Sequence, residues 1–304
     1  MVLYFFNSIS VLVIILSISK FLTYKFKIDN NIKHIFSILI LIFLSFILIK
    51  SIKNININYS LGLDYIFIFR IFFFITLIFA LLNLLLKYGN YNRLDLWFVI
   101  CYLIICFFSY DRYFLDEDEF YFWGVKLKDY YYFNEIKYLR FDYYHQPLLT
   151  SWQLFFSVNY GFNENVLIFS NNVILIGAFF YLVDDLLKDK KSKYYVFFIY
   201  FLLFYLFLNN LSFGFVSIYA DPILAVLSTC ILKIILEKKY DIQKIILLFF
   251  LSFCLYFTHR LGIIFLFSLF PLLFIKNYKF FLNINKIFIS IGFIDDIKKY
   301  KFFL

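Results

Sequence analysis

The sequence predicts an all-α integral membrane protein of nine or ten transmembrane helices, with two interfacial helices in one long outward-facing loop. Three observations predict it. The 304 residues are 64% hydrophobic, well above the roughly 45–50% of soluble domains. Charged residues make up only 16%, too few to cover a water-facing surface. The apolar residues also gather in long runs separated by short lysine-bearing loops, the pattern of a multi-pass chain. With 8 Gly, 3 Pro and 4 Cys among so many apolar residues, disorder, collagen and a disulfide scaffold are excluded. Cys101, Cys106, Cys230 and Cys254 lie inside apolar runs without a CxxC pair and read as small buried residues.

The apolar runs occupy 2–19, 35–50, 62–86, 96–110, 164–187, 194–208, 220–236, 245–257 and 261–275. A helix rises about 1.5 Å per residue against a hydrocarbon core of about 30 Å, so the shorter runs span only if flanking Tyr and Lys side chains reach the headgroups. No basic segment precedes 2–19 and no small-residue cleavage site follows it, so it reads as a first span rather than a cleaved signal. A last patch, 282–294, precedes Asp295-Asp296 and reads as a tenth helix or the end of a truncated chain. Lipid offers no partner to backbone N–H groups, which makes these runs helices; a barrel would show short alternating segments. The chain thus divides into helices one to four over 1–110, an outward loop over 111–160 and a C-terminal bundle over 161–304.

Lysines and arginines set the orientation. Sixteen of them fall in the loops around 20–33, 87–93, 188–193, 238–244 and 276–286, and eight in the alternate set. The first set is therefore cytoplasmic and 111–146 faces outward. The net charge of +9 follows from those loops facing anionic lipid and does not call for nucleic acid. This parity requires that 147–160 does not cross. As a helix beginning at Pro147, that segment sets Thr150, Gln153 and Ser157 on one stripe, opposite Leu148, Trp152, Phe155 and Phe156. The expectation is a helix lying in the membrane interface.

Polarity concentrates in the outward loop. Asp116, Glu117, Asp118 and Glu119 are consecutive, a repulsive arrangement unless a positive group neutralises it. They abut an apolar stripe of Phe120, Trp123, Leu127 and Tyr131 at helical spacing, which predicts the first interfacial helix and pins the acids at the membrane surface. His145 precedes the second. By the same parity Asp221, at a helix start, and the turn Thr258-His259-Arg260 lie on that side, and Arg70 lies a little inside the third span. Carboxylates there can deprotonate an acceptor hydroxyl or hold a divalent cation such as Mg²⁺ or Mn²⁺, with Asp118 and Glu119 as the ligands. Basic residues can hold a phosphate leaving group, and apolar grooves can take a polyprenyl chain. Sugar transfer from a lipid-linked phosphosugar needs all three.

The stretches DEFYFWGVKLK at 118–128, HQPLLTSWQLFF at 145–156 and GFVSIYADPILAVL at 214–227 resemble the integral-membrane glycosyltransferases of the C-type fold (GT-C), in particular bacterial polytopic members with a D-E-F-x-x-W-G-x-K pattern. The resemblance covers about 110–275. It implies Asp118 and Glu119 as the acidic motif and Asp221 as a second carboxylate; Trp123, Lys126, His145, His259 and Arg260 are the expected substrate-binding residues, with Arg260 and His259 on the donor phosphate. Tyr121-Phe122 and His259-Arg260 depart from the pattern, which has a Ser-His pair and a Lys at those places. The expected function is transfer of a sugar from a polyprenyl-phosphate donor to a cell-envelope acceptor, outside a bacterial inner membrane. The alternatives are a transporter or flippase for a lipid-linked glycan, and an inactive truncated relic.

Overall fold

The computed structural model describes residues 2–30, 32–59, 62–85, 91–113, 127–129, 131, 147–183, 201, 221–237, 241–259, 261–269 and 271–272. These are helical almost throughout: α1 (Val2–Phe26), α2 (Lys33–Tyr59), α3 (Tyr65–Leu85), α4 (Arg93–Ser109), α5 (Pro147–Ser157), α6 (Glu164–Leu182), α7 (Asp221–Leu236) and α8 (Ile242–Thr258). Four are long and apolar enough to cross a bilayer, namely Val2–Phe26, Lys33–Asn56, Tyr65–Leu85 and Glu164–Leu182. The chain is a membrane protein. The expected spans at 194–208 and 282–294 lie outside the described residues, apart from Phe201.

Local chemistry explains where the helices begin. Asn92 and Asp95 form a capping box on α4, each side chain bonding the other's backbone N–H. Asp241 accepts from Lys244 N at 2.8 Å to open α8, and Asp64 accepts from Ile66 N at 2.8 Å ahead of α3. Gly161, at φ 91°, takes the left-handed turn between α5 and α6 that a side chain would strain.

Side-chain contacts fix the direction of each helix. At one end, Lys20 covers the Tyr91 ring, Asn92 Nδ2 donates to Asn30 Oδ1, and Gln243 bridges Lys27 and Asp29. This lysine end gathers the C-terminus of α1 and the N-termini of α2, α4 and α8. At the other end, the Tyr4 hydroxyl donates to Cys106 O, Asn165 Nδ2 to Tyr110 O and Arg70 Nε to Val158 O. Segment 111–146 leaves α4 there, so it is called the loop end. The helices α1, α2, α3 and α4 alternate in direction as the sequence predicts. Helices α6 and α7 run in parallel, with Cys230 against Ala178 O and Lys233 against Tyr181 O, so the chain between them joins the lysine end of one to the loop end of the other.

Helix α6 is the axis of the bundle, with 94% of its apolar window buried; α3 is peripheral, with 22%. Gly177 lets α6 approach α2 closely, since a Cβ there would lie 2.5 Å from Ile38 Cδ1 and 3.5 Å from the Ile35 backbone.

The helix at Pro147–Ser157 corrects the expectation of a surface helix. Every described side chain of α5 is buried, the polar stripe included: Thr150 is 6% exposed, Gln153 2% and Ser157 0%. It packs against α2 and α6 and runs antiparallel to α6, Trp152 Nε1 donating to Ser170 O at 2.8 Å. Eleven residues give a helix about 16 Å long, which begins part-way through the bundle at Pro147 and ends at the loop end, where Val158 accepts from Arg70. The stripe reads as amphipathic because Gln153 and Ser157 have partners on other segments, Asn171 and Tyr131, not because they meet headgroups.

Candidate functional site

The loop end holds every sequence-predicted site residue that can be placed. Asp221 is exposed in the first turn of α7, where the helix dipole favours a carboxylate. Among the described residues it makes no hydrogen bond or ion pair. His259 ends α8 in extended conformation, φ −159° and ψ 158°, and its Nδ1 accepts from Leu261 N at 3.2 Å. Since α8 starts at the lysine end and α7 ends there, Asp221 and His259 share the loop end. Asp118, Glu119, Trp123, Lys126, His145 and Arg260 lie outside the described residues. Among the described residues no three of His, Cys, Asp and Glu converge as a metal site requires.

The same end carries a buried polar seam between α1, α4, α5 and α6. The Tyr131 hydroxyl donates to Ser157 Oγ at 2.9 Å, and Ser157 donates to Gln153 O. Burial pushes the Tyr131 phenol up, against the smaller opposing effects of the Ser157 bond and the Arg70 charge, so it stays a neutral donor. Gln153 donates to Asn171 Oδ1 at 3.3 Å, Asn172 to Ser109 Oγ at 3.0 Å, and Asn7 to Phe156 O. Among the described residues Asn7 Oδ1, Asn165 Oδ1 and Asn171 Nδ2 are buried with no partner. In a bilayer each such group costs about 1–3 kcal/mol. Sequence reading registered Gln153 and Ser157 but not the asparagines of α6, whose spacing at 165, 171 and 172 is a visible signal inside a span.

The lysine end holds a second cluster that sequence reading missed. Asp95 Oδ1 lies 2.6 Å from Lys33 Nζ and 2.9 Å from His34 Nε2, with side chains between 1% and 3% exposed. Asp95 Oδ2 accepts from Asn92 N, and Lys33 also reaches Asn30 Oδ1 at 3.2 Å. His34 stacks on Phe98 at 4.4 Å with planes 2° apart. The carboxylate is saturated and the cluster closed on itself, so its chemistry is a clamp between α2 and α4. The four cysteines are free and buried, as the sequence suggests.

Comparison with protein-family models, with curated proteins and with solved structures finds no match.

Proposed function

We propose that this chain is a multi-pass glycosyltransferase of a bacterial inner membrane. On this reading it moves a sugar from a polyprenyl-phosphate donor to a cell-envelope acceptor at the loop end. The observation that supports the reading is the meeting, at one end of the bundle, of Asp221, His259 and both anchors of the acidic segment, Tyr110 and Tyr131. In the reaction, a carboxylate takes the acceptor hydroxyl's proton and the acceptor oxygen bonds the anomeric carbon. The bond from that carbon to the phosphate oxygen breaks, and the phosphate leaves with the bonding pair. Asp118 or Glu119 serves as base, Asp221 as second carboxylate, and Arg260 with His259 receives the phosphate. Trp123, Lys126 and His145 contribute to binding. Asp118 and Glu119 are hard oxygen donors that suit Mg²⁺ or Mn²⁺.

The test is transfer of a labelled sugar from a polyprenyl-phosphate donor in proteoliposomes. Asp118→Asn and Glu119→Gln each lower the rate by about two orders of magnitude with expression unchanged. Near-normal transfer by both variants returns the acids to an ordinary solvated loop.

One observation favours the second reading, a carrier for a lipid-linked glycan. The half-length α5 with buried amides beside it resembles the broken helices at transporter sites. Against it, the buried ionisable cluster among the described residues sits at the lysine end and not at mid-depth. A scrambling assay with a fluorescent lipid-linked glycan, without acceptor, separates the two.

A further inference from the structure

We propose that Arg70 anchors a binding site for the phosphate of a membrane lipid, on the seam between α3 and the end of α5. Arg70 belongs to the helix that faces lipid: Phe67 is 60% exposed, Ile71 44%, Phe74 52% and Ile75 59%. Arg70 is itself exposed. It stands six positions after Asp64, which caps the start of α3, so it lies about 9 Å along the helix from that end. This is headgroup depth for an extended guanidinium, but a costly place for a charge that finds no anion.

The guanidinium is held by the protein without being neutralised by it. Nε donates to Val158 O at 3.2 Å, in the turn that follows α5. That bond to another element fixes the fork, whereas a merely snorkelling side chain needs no fixed geometry. Five N–H groups minus this one leave four, and they meet no carboxylate among the described residues. The charge acting on Tyr131 from Arg70 puts that half-buried, neutral phenol close by. A planar fork with open N–H groups matches the oxygens of a phosphate. The ligand is lipid-borne because the walls around it, Phe67, Ile71 and Phe74, offer surface to an acyl or prenyl chain and nothing to a free ion. The site goes beyond the transferase reading, since a carrier would use it equally, and its test reads lipid binding rather than transfer.

The experiment is native mass spectrometry of the full chain in detergent, titrated with phosphatidic acid, with phosphatidylcholine and with inorganic phosphate. Wild type retains phosphatidic acid; Arg70→Gln weakens that binding about tenfold or more, and Arg70→Lys recovers only part of it. Gln can still donate to Val158 O, and an unchanged melting temperature verifies the fold. A photoreactive phosphatidic acid, which needs no variant, cross-links within 67–74 of the wild type. Equal binding by wild type and Arg70→Gln overturns the proposal, as does full recovery by Lys, cross-links confined to other helices, or displacement of the lipid by equimolar inorganic phosphate.

Discussion

Replacing Asp95 by Ala removes the one anion that Lys33 and His34 share. The pair is nearly dry, with side chains 3% and 2% exposed and 2.6 Å between Nζ and Oδ1. Once the carboxylate is gone, the ammonium keeps only Asn30 Oδ1 at 3.2 Å among the described residues, and stranding a buried charge costs about 3–5 kcal/mol. The substitution also opens the capping box of α4, in which Asn92 N donates to Asp95 Oδ2, for about 1 kcal/mol more. A loss of roughly 4–6 kcal/mol follows, comparable with the whole stability of many domains. The double variant Lys33→Met with Asp95→Leu strands no ammonium and retains mainly the cap loss and the unpaired His34 Nε2, so it is the more stable of the two. Unfolding by SDS titration in mixed micelles, followed by far-UV circular dichroism, measures both. If Asp95→Ala stays within about 1 kcal/mol of wild type, or the double variant is no better than the single, the cluster is not the clamp described here.

Further outcomes follow from the packing and the topology. Gly177→Ala lowers stability by about 1–3 kcal/mol through overpacking, and Ile38→Val, which removes the Cδ1 that its Cβ would meet at 2.5 Å, restores most of it in the same titration. Tyr131→Phe removes the donor to Ser157 Oγ, costing about 1 kcal/mol, and makes segment 111–146 more sensitive to limited proteolysis. A membrane-impermeant thiol reagent applied to intact cells modifies Tyr113→Cys at the loop end and not Asp241→Cys at the lysine end, against a low background because the native cysteines are buried; the opposite result inverts the orientation.

Much of the fold is legible because its determinants are local. The apolar runs, the loop charges and the caps at Asp64, Asn92 and Asp241 are all written within a few residues, and helix starts follow them closely. What is lost is long-range partnership. Lys33 reads as one more loop cation and Asp95 as one more helix-start acid, because nothing within a few residues of either reveals a partner 61 or 62 positions away. Helix α5 fails for the same reason. Its period is readable from Pro147 onward, but whether Gln153 and Ser157 face headgroups or Asn171 and Tyr131 is decided by elements outside the window. Of the candidate site, the common side of Asp221 and His259 follows from counting spans, and their surroundings do not.

The two ends of the bundle spend polar groups differently, and that difference separates stability from function. At the lysine end, Asp95, Lys33, His34, Asn30 and Asn92 saturate one another, and Gln243 ties α8 to the turn between α1 and α2. At the loop end, Asn7 Oδ1, Asn165 Oδ1 and Asn171 Nδ2 remain buried and unmatched, Arg70 keeps open donors, and Asp221 makes no bond among the described residues. Unsatisfied groups in a bilayer cost about 1–3 kcal/mol each, a burden that selection for stability alone would remove. Among the described residues Ser45 Oγ within α2 and Asn83 Nδ2 near the C-terminus of α3 are isolated cases elsewhere, whereas three such atoms gather at the loop end beside Arg70 and Asp221, and that gathering is the mark of a surface kept ready for polar ligands. Substitutions at the two ends therefore separate by phenotype. Asp95→Ala is lost from the membrane fraction, whereas Asp221→Asn and Arg70→Gln melt like the wild type and fail only in transfer or lipid binding. Melting curves and activity measured on the same preparations decide it: if the loop-end variants unfold as readily as Asp95→Ala, those polar groups are structural after all.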